Sequence, residues 1–193
     1  YKKDPGKARI VILRRTLIRV AAVALILISL GTGVFYLFNT GAFSKKIAFS
    51  TGNDQKNLLV ELSDGSRIFL NRNSELTYRE DFGRNSRNVK LRGEAFFNVA
   101  ADASSPFIID AGNALVKVIG TSFNVITSNA ESEVEVFVKT GKVVLSGYDN
   151  SQSIELDHGY IGKINSGKTE KTVNKDANYL SWNTGLLIYN GQT

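Results

Sequence analysis

"LLVELSDGSRIFL", Leu58 to Leu70, decides the fold class. Leu58, Val60 and Leu62 share one face of a period-two pattern, and Ile68 and Leu70 share a face of the next run. Between them, Ser63 to Ser66 carry the Asp-Gly signal of a β-hairpin. Working outward, similar short runs recur at Leu76–Tyr78, Val89–Val99, Phe107–Asp110, Leu115–Thr127, Val134–Lys139, Val143–Leu145, Ile154–Leu156 and Tyr160–Ile164. Turn residues such as Thr140–Gly141 and Asp149–Asn150 separate several of them. No strand–helix alternation is visible, and no glycine-rich phosphate loop precedes a helix. The reading is a mainly β chain whose residues 57–173 fold as a sandwich or solenoid-like stack of short antiparallel strands.

The part before this domain reads differently. Val20 to Phe38, "VAAVALILISLGTGVFYLF", is 19 uncharged residues in succession. About 20 such residues cross a hydrocarbon core as a helix. Thr16–Ile18 and a snorkelling Arg19 extend the span, which predicts a transmembrane helix over 16–38. Tyr36 and Phe38 stand where aromatic rings favour the interface. A cleaved signal peptide would have a shorter apolar core and an A-x-A-like site, which "FNTGAFS" lacks. Residues 1–15 then remain as a cytoplasmic remnant, and 39–56 form a polar linker. The chain contains no methionine, so a further N-terminal part is expected before Tyr1.

Charge sets the orientation and excludes one class of partner. The formal net charge is +6, and Lys2, Lys3, Lys7, Arg9, Arg14, Arg15 and Arg19 against Asp4 account for all of it. The positive-inside rule leaves this end in the cytoplasm of a single-pass inner-membrane protein and exports the β domain to the periplasm. The domain itself is neutral, so no nucleic acid is expected as a partner. There is no cysteine and one histidine, His158, in the turn-like "LDHGY". Thiolate metal sites, disulfides and cysteine nucleophiles are excluded, and no metal or cofactor is expected.

"VKVIGTSFNV", Val116 to Val125, breaks the strand pattern. Val116 and Val118 share one phase, and Phe123 and Val125 share the next, with Ser122 and Asn124 opposite. Positions 118 and 123 are an odd number apart, so one continuous strand would put them on opposite faces. A bulge or bend at Gly120 would restore the register.

In order along the chain, "LSDGSRIFLNRNSEL" (Leu62–Leu76), "RNVKLRGEAFFNV" (Arg87–Val99), "PFII" (Pro106–Ile109), "VIGTSFNV" (Val118–Val125) and "VKTGKV" (Val138–Val143) resemble FecR-like proteins, single-pass anti-sigma factors. "SWNTGLLIYNGQT" resembles the start of the small α/β module that follows the β domain in that family, here residues 174–193, and stops short of its end. His158 departs from the proline usual before that glycine.

The resemblance implies a signal transducer and no enzyme. A preceding cytoplasmic region would hold an extracytoplasmic-function sigma factor, and the periplasmic domain would contact the signalling domain of a TonB-dependent outer-membrane transporter. It also implies possible self-cleavage at Gly120–Thr121, the threonine hydroxyl attacking the preceding carbonyl. Trp182 and the run Gly185, Leu186, Leu187, Ile188 and Tyr189 are the candidate partner-binding residues, as an unpaired edge open to strand addition. The alternative is a membrane-anchored carbohydrate-binding β domain using Tyr78, Tyr148 and Tyr160 as stacking rings.

Overall fold

The structure, a computed structural model, describes residues 5–39, 44–84, 86–128, 133–148, 152–165 and 168–188. The chain forms two compact units, Tyr1–Ser44 and Lys45–Thr193.

The first unit is one helix, α1 (Pro5–Asn39), opening on a proline whose missing N–H costs nothing in a first turn. Its stretch Ile18–Tyr36 has a mean hydropathy of 2.2 over 19 residues. At 1.5 Å per residue that is about 28 Å of helix, long and apolar enough to cross a bilayer. The hydroxyls of Ser29 and Thr32 turn back onto the carbonyls of Ile26 (2.9 Å) and Ile28 (2.8 Å). That leaves these two hydroxyls satisfied within the helix, as an apolar medium demands.

The second unit contains fourteen strands: β1 (Lys46–Ser50), β2 (Leu58–Glu61), β3 (Arg67–Leu70), β4 (Glu75–Arg79), β5 (Arg87–Arg92), β6 (Glu94–Asn98), β7 (Phe107–Asp110), β8 (Ala114–Val118), β9 (Ser122–Thr127), β10 (Glu133–Thr140), β11 (Lys142–Gly147), β12 (Ser153–Asp157), β13 (Tyr160–Asn165) and β14 (Lys168–Val173). They make two seven-stranded sheets, β1-β4-β5-β7-β8-β11-β12 and β14-β13-β10-β9-β6-β3-β2. The inward residues of both enter one core. Phe97 of β6 stacks on Phe123 of β9 (5.2 Å between centroids), and Phe107 of β7, in the opposite sheet, meets Phe97 edge-on at 6.3 Å. All three are fully buried, each worth about 1.5–3 kcal/mol over an exposed side chain. This is a mainly β sandwich, as expected.

Three details differ from the sequence reading. Lys46–Ser50, assigned to the linker, form the edge strand β1; Phe49 packs against the core and pairs in register with Leu76. The Asp-Gly hairpin exists, with Leu58 opposite Leu70, but its connection is Ser63–Gly65, with Gly65 at φ 84. Such three-residue links close on a left-handed glycine. Finally, the runs Val89–Val99 and Leu115–Thr127 are each two strands. The first divides at Gly93 and the second at Ile119–Thr121, where the chain leaves one sheet and enters the other. The odd spacing from Val118 to Phe123 marks the bend of the two alternatives, a corner between sheets, and no bulge within a strand.

These corners also explain the one parallel ladder among the described residues, β5 with β7: the chain spends β6 in the opposite sheet before returning. The remaining ladders are antiparallel. A bulge-like register shift does occur beside the corner, in β10 between Val138 and Thr140, opposite Phe123 and Ser122.

Candidate functional site

Two places bring the sequence-derived candidates together. The first is the corner Ile119–Gly120–Thr121. A Cβ on Gly120 would lie 2.6 Å from both Cα and Cβ of Ala101, so the glycine is required by close approach. Its φ is not in the left-handed range, unlike that of Gly141 at φ 79. Gly141, the corner from β10 into β11, presses on the same spot. A Cβ there would stand 3.1 Å from the Gly120 carbonyl oxygen and 3.1 Å from Thr121 Oγ1.

The peptides on either side of the Gly120–Thr121 peptide are pinned. Val99 N–H donates to the Thr121 carbonyl (3.0 Å) and Asp102 N–H to the Ile119 carbonyl (2.9 Å). Thr121 is 4% exposed, and its hydroxyl donates to the Lys142 carbonyl at 3.0 Å. The Lys142 ammonium turns to Glu155 (2.6 Å) and Asp157 (3.5 Å), whose hydrogen bonds and charge raise its pKa. It therefore stays protonated near neutrality and is no base for Thr121. A groove of about 570 Å³ opens beside the corner, lined in part by Lys117, Ile119, Val144 and Glu155.

Behind the corner sits Arg87, which the sequence reading missed. It is 3% exposed. Its guanidinium donates to the carbonyls of Ser105 (2.6 Å), Ala100 (2.9 Å), Asp102 (3.1 Å) and Ile119 (3.5 Å), and pairs with Asp64 at 3.2 Å. Asp64 also accepts from the backbone N–H and hydroxyl of Ser66. A buried charge so fully partnered is tolerated, whereas removing one partner of such a pair costs about 3–5 kcal/mol. One signal was available. Arg87 shares the inward phase of Val89 and Leu91, and an arginine in an inward row needs partners.

The second place is the segment 174–188, which lies over the outer face of the β2-to-β14 sheet. Its helix α2 (Ser181–Thr184) is a single turn closed by Gly185 at φ 69. Tyr179 packs on Phe137 of β10 at 4.8 Å, and its hydroxyl donates to Glu135, which Lys163 also holds at 2.5 Å. Burial first, then the Glu135 hydrogen bond, push the Tyr179 phenol far above its ordinary pKa, so it remains a donor at any physiological pH.

At the other end, the Asn57 side chain donates to the carbonyls of Trp182 (3.2 Å) and Asn183 (3.0 Å). Beneath lie Phe96, Phe137 and Asn124, all buried. Asn124 faces away from the core, opposite Phe123 and Val125 as the pattern has it, and its amide donates to Glu94 at 2.9 Å. Leu186, Leu187 and Ile188 are 71%, 60% and 53% exposed and belong to no strand. Tyr189 lies outside the described residues.

The three tyrosines of the carbohydrate reading do not all share one face. Tyr78 and Tyr160 pack against the core from opposite sheets, Tyr160 under the Lys171 ammonium at 4.5 Å. Tyr148, just beyond β11 and 61% exposed, lines a groove of the β1-to-β12 sheet together with Tyr78.

Two seven-stranded sheets over one core define a β-sandwich domain, and it follows in sequence a helix long and apolar enough to cross a bilayer. Residues 48–144 match the family model described as FecR protein, and the chain belongs to that family. It is similar to two crystal structures of a candidate anti-sigma factor from Parabacteroides distasonis ATCC 8503. Both are 32% identical, with TM-scores of 0.63 and 0.62 over 71% and 70% of this chain. The chain spans 63% of each of those proteins. A comparison with curated proteins returns no match.

Proposed function

We propose that the protein is a transmembrane anti-sigma factor that relays a signal from outside the inner membrane. The observation that carries this reading is the FecR sandwich following a helix able to span the bilayer, with seven basic residues before Val20. The basic end lies in the cytoplasm and leads to the region that holds an extracytoplasmic-function sigma factor. The neutral sandwich lies in the periplasm and meets the signalling domain of a TonB-dependent transporter. Trp182 and residues 185–189 form the contact, because Leu186–Ile188 offer an exposed apolar edge on a segment latched to the sandwich.

Self-cleavage at Gly120–Thr121 belongs to the same reading. Thr121 Oγ attacks the Gly120 carbonyl carbon, the C–N bond breaks, and the hydroxyl proton passes to the departing Thr121 nitrogen. Water then hydrolyses the ester to a Gly120 carboxylate and the free hydroxyl. The close packing of Gly120, Thr121 and Gly141 supports it, since a fixed neighbour nucleophile needs little further entropy loss.

The function is tested by pull-down of the full-length native protein from membranes, together with calorimetry against the signalling domain of the genetically adjacent transporter. Recovery of a sigma factor and measurable heat are expected. A membrane protein that recovers no sigma factor, with no heat at high concentration, overturns the reading.

A further inference from the structure

We infer that Arg87 is a positioning residue for the Gly120–Thr121 peptide, an inference that rests on the self-cleavage reading above. The argument is geometric. The nucleophile and its target are neighbours in sequence, so what remains to be set is the orientation of one peptide unit. That orientation is held through the two peptides on either side. The Thr121 carbonyl is held by Val99 N–H, and the Ile119 carbonyl by Asp102 N–H. Both donors belong to the segment 99–102, and Arg87 ties that segment to the corner. Its guanidinium takes the carbonyls of Ala100 and Asp102 on one side and that of Ile119 on the other.

Ala101, between the two held residues, is the backbone against which Gly120 closes. Asp64 fixes the guanidinium from the hairpin turn, and Ser66 of the same turn accepts the Ala100 N–H at 3.0 Å. One buried cation therefore joins the Asp64 turn, the 99–105 segment and residue 119. It touches neither the Gly120 carbonyl nor the Thr121 hydroxyl, so it acts only through the backbone it holds. Lysine at 87 would keep the charge and lose the fork that reaches several carbonyls at once.

The experiment uses the full chain in detergent micelles. Wild type, Arg87→Lys, Asp64→Asn and Thr121→Ala are expressed in a short pulse. The new N-terminus at Thr121 is followed by mass spectrometry, with and without hydroxylamine, which cleaves the ester before water does. Near-ultraviolet circular dichroism and thermal unfolding report folding. In Arg87→Lys, measured well below its own melting temperature, cleavage falls by about 10- to 100-fold, the cost of misplacing reacting groups by about an ångström. Hydroxylamine does not restore it, because the ester itself forms slowly. Asp64→Asn, which leaves the arginine in place and loosens its anchor, falls in the same direction.

A purely structural arginine would lower the melting temperature and leave the rate in folded molecules unchanged. A folded Arg87→Lys that cleaves at the wild-type rate overturns the inference. Should that variant not fold, wild-type cleavage in folded Asp64→Asn does so instead. If folded wild type shows no Thr121 N-terminus and no hydroxylamine-sensitive ester, the self-cleavage reading itself fails and the role of Arg87 falls with it.

Discussion

Asn178 closes both backbone hydrogen bonds of Ile188: its Oδ1 accepts the Ile188 N–H at 2.7 Å, and its Nδ2 donates to the Ile188 carbonyl at 2.9 Å. A side-chain amide thus does for the apolar tail what a neighbouring strand would do. Asn178 adjoins Tyr179, so the residue that holds the tail is the chain neighbour of the one latched on Phe137 and Glu135. A partner that takes the Ile188 backbone must displace Asn178 and load that latch.

Tyr179→Phe keeps the ring on Phe137 and deletes the hydroxyl. Because Lys163 still holds Glu135, the loss should sit near the low end for hydrogen bonds to charged groups, about 1–2 kcal/mol at neutral pH. The sign of its pH dependence follows from the raised phenol pKa. Folding favours the protonated phenol, so this contribution is full below the unfolded pKa of about 10 and is lost as the pH rises beyond it. Urea unfolding of both proteins between about pH 7 and pH 11 should show their stabilities converging only at the alkaline end. A constant difference across that range would be inconsistent with a buried donor.

Gly120→Ala should destabilise the sandwich by about 1–3 kcal/mol, the range for overpacking a filled site. The added methyl meets Ala101 Cα and Cβ at 2.6 Å, and the backbone hydrogen bonds of Val99 and Asp102 must stretch to make room. Adding Ala101→Gly removes one of the two clashes, so the pair should recover part of the loss and be non-additive. Strictly additive denaturation midpoints would place the cost elsewhere.

Thr121→Ala should abolish the new N-terminus at Thr121 and leave a folded domain, weakened by about 1 kcal/mol for the lost bond to Lys142. Thr121→Ser retains the hydroxyl and some cleavage. A single intact band from fresh wild-type protein, stable for days without proteases, argues that the corner is structural alone.

Alkaline phosphatase fused after Thr193 should be active in an enteric host, because the basic residues before Val20 retain the N-terminus in the cytoplasm. A cytoplasmic reporter at the same position should be silent. The reverse pair of results refutes the orientation.

Local chemistry settled much of this protein in advance. The apolar span, the basic residues before it, the Asp-Gly hairpin and the inward phases of Val60, Ile68, Phe97 and Val125 all follow from spacing and polarity. Those signals reach only a few residues, and each survives any tertiary arrangement that keeps one face dry. Period two says which side chains point inward; it does not say into which sheet. For that reason the runs through Gly93 and Gly120 looked like single strands, and the odd step from Val118 to Phe123 fitted a bulge as well as a corner.

Only the folded chain decides where Arg87 finds its partners, since they lie between 13 and 32 residues away in sequence. The same holds for Asn124, which reads as solvent-facing from its neighbours and is buried because residues 174–188 return across the sheet above it. A buried polar group is stabilised by whatever distant donors and acceptors the fold delivers, and its own neighbours in sequence carry no record of them.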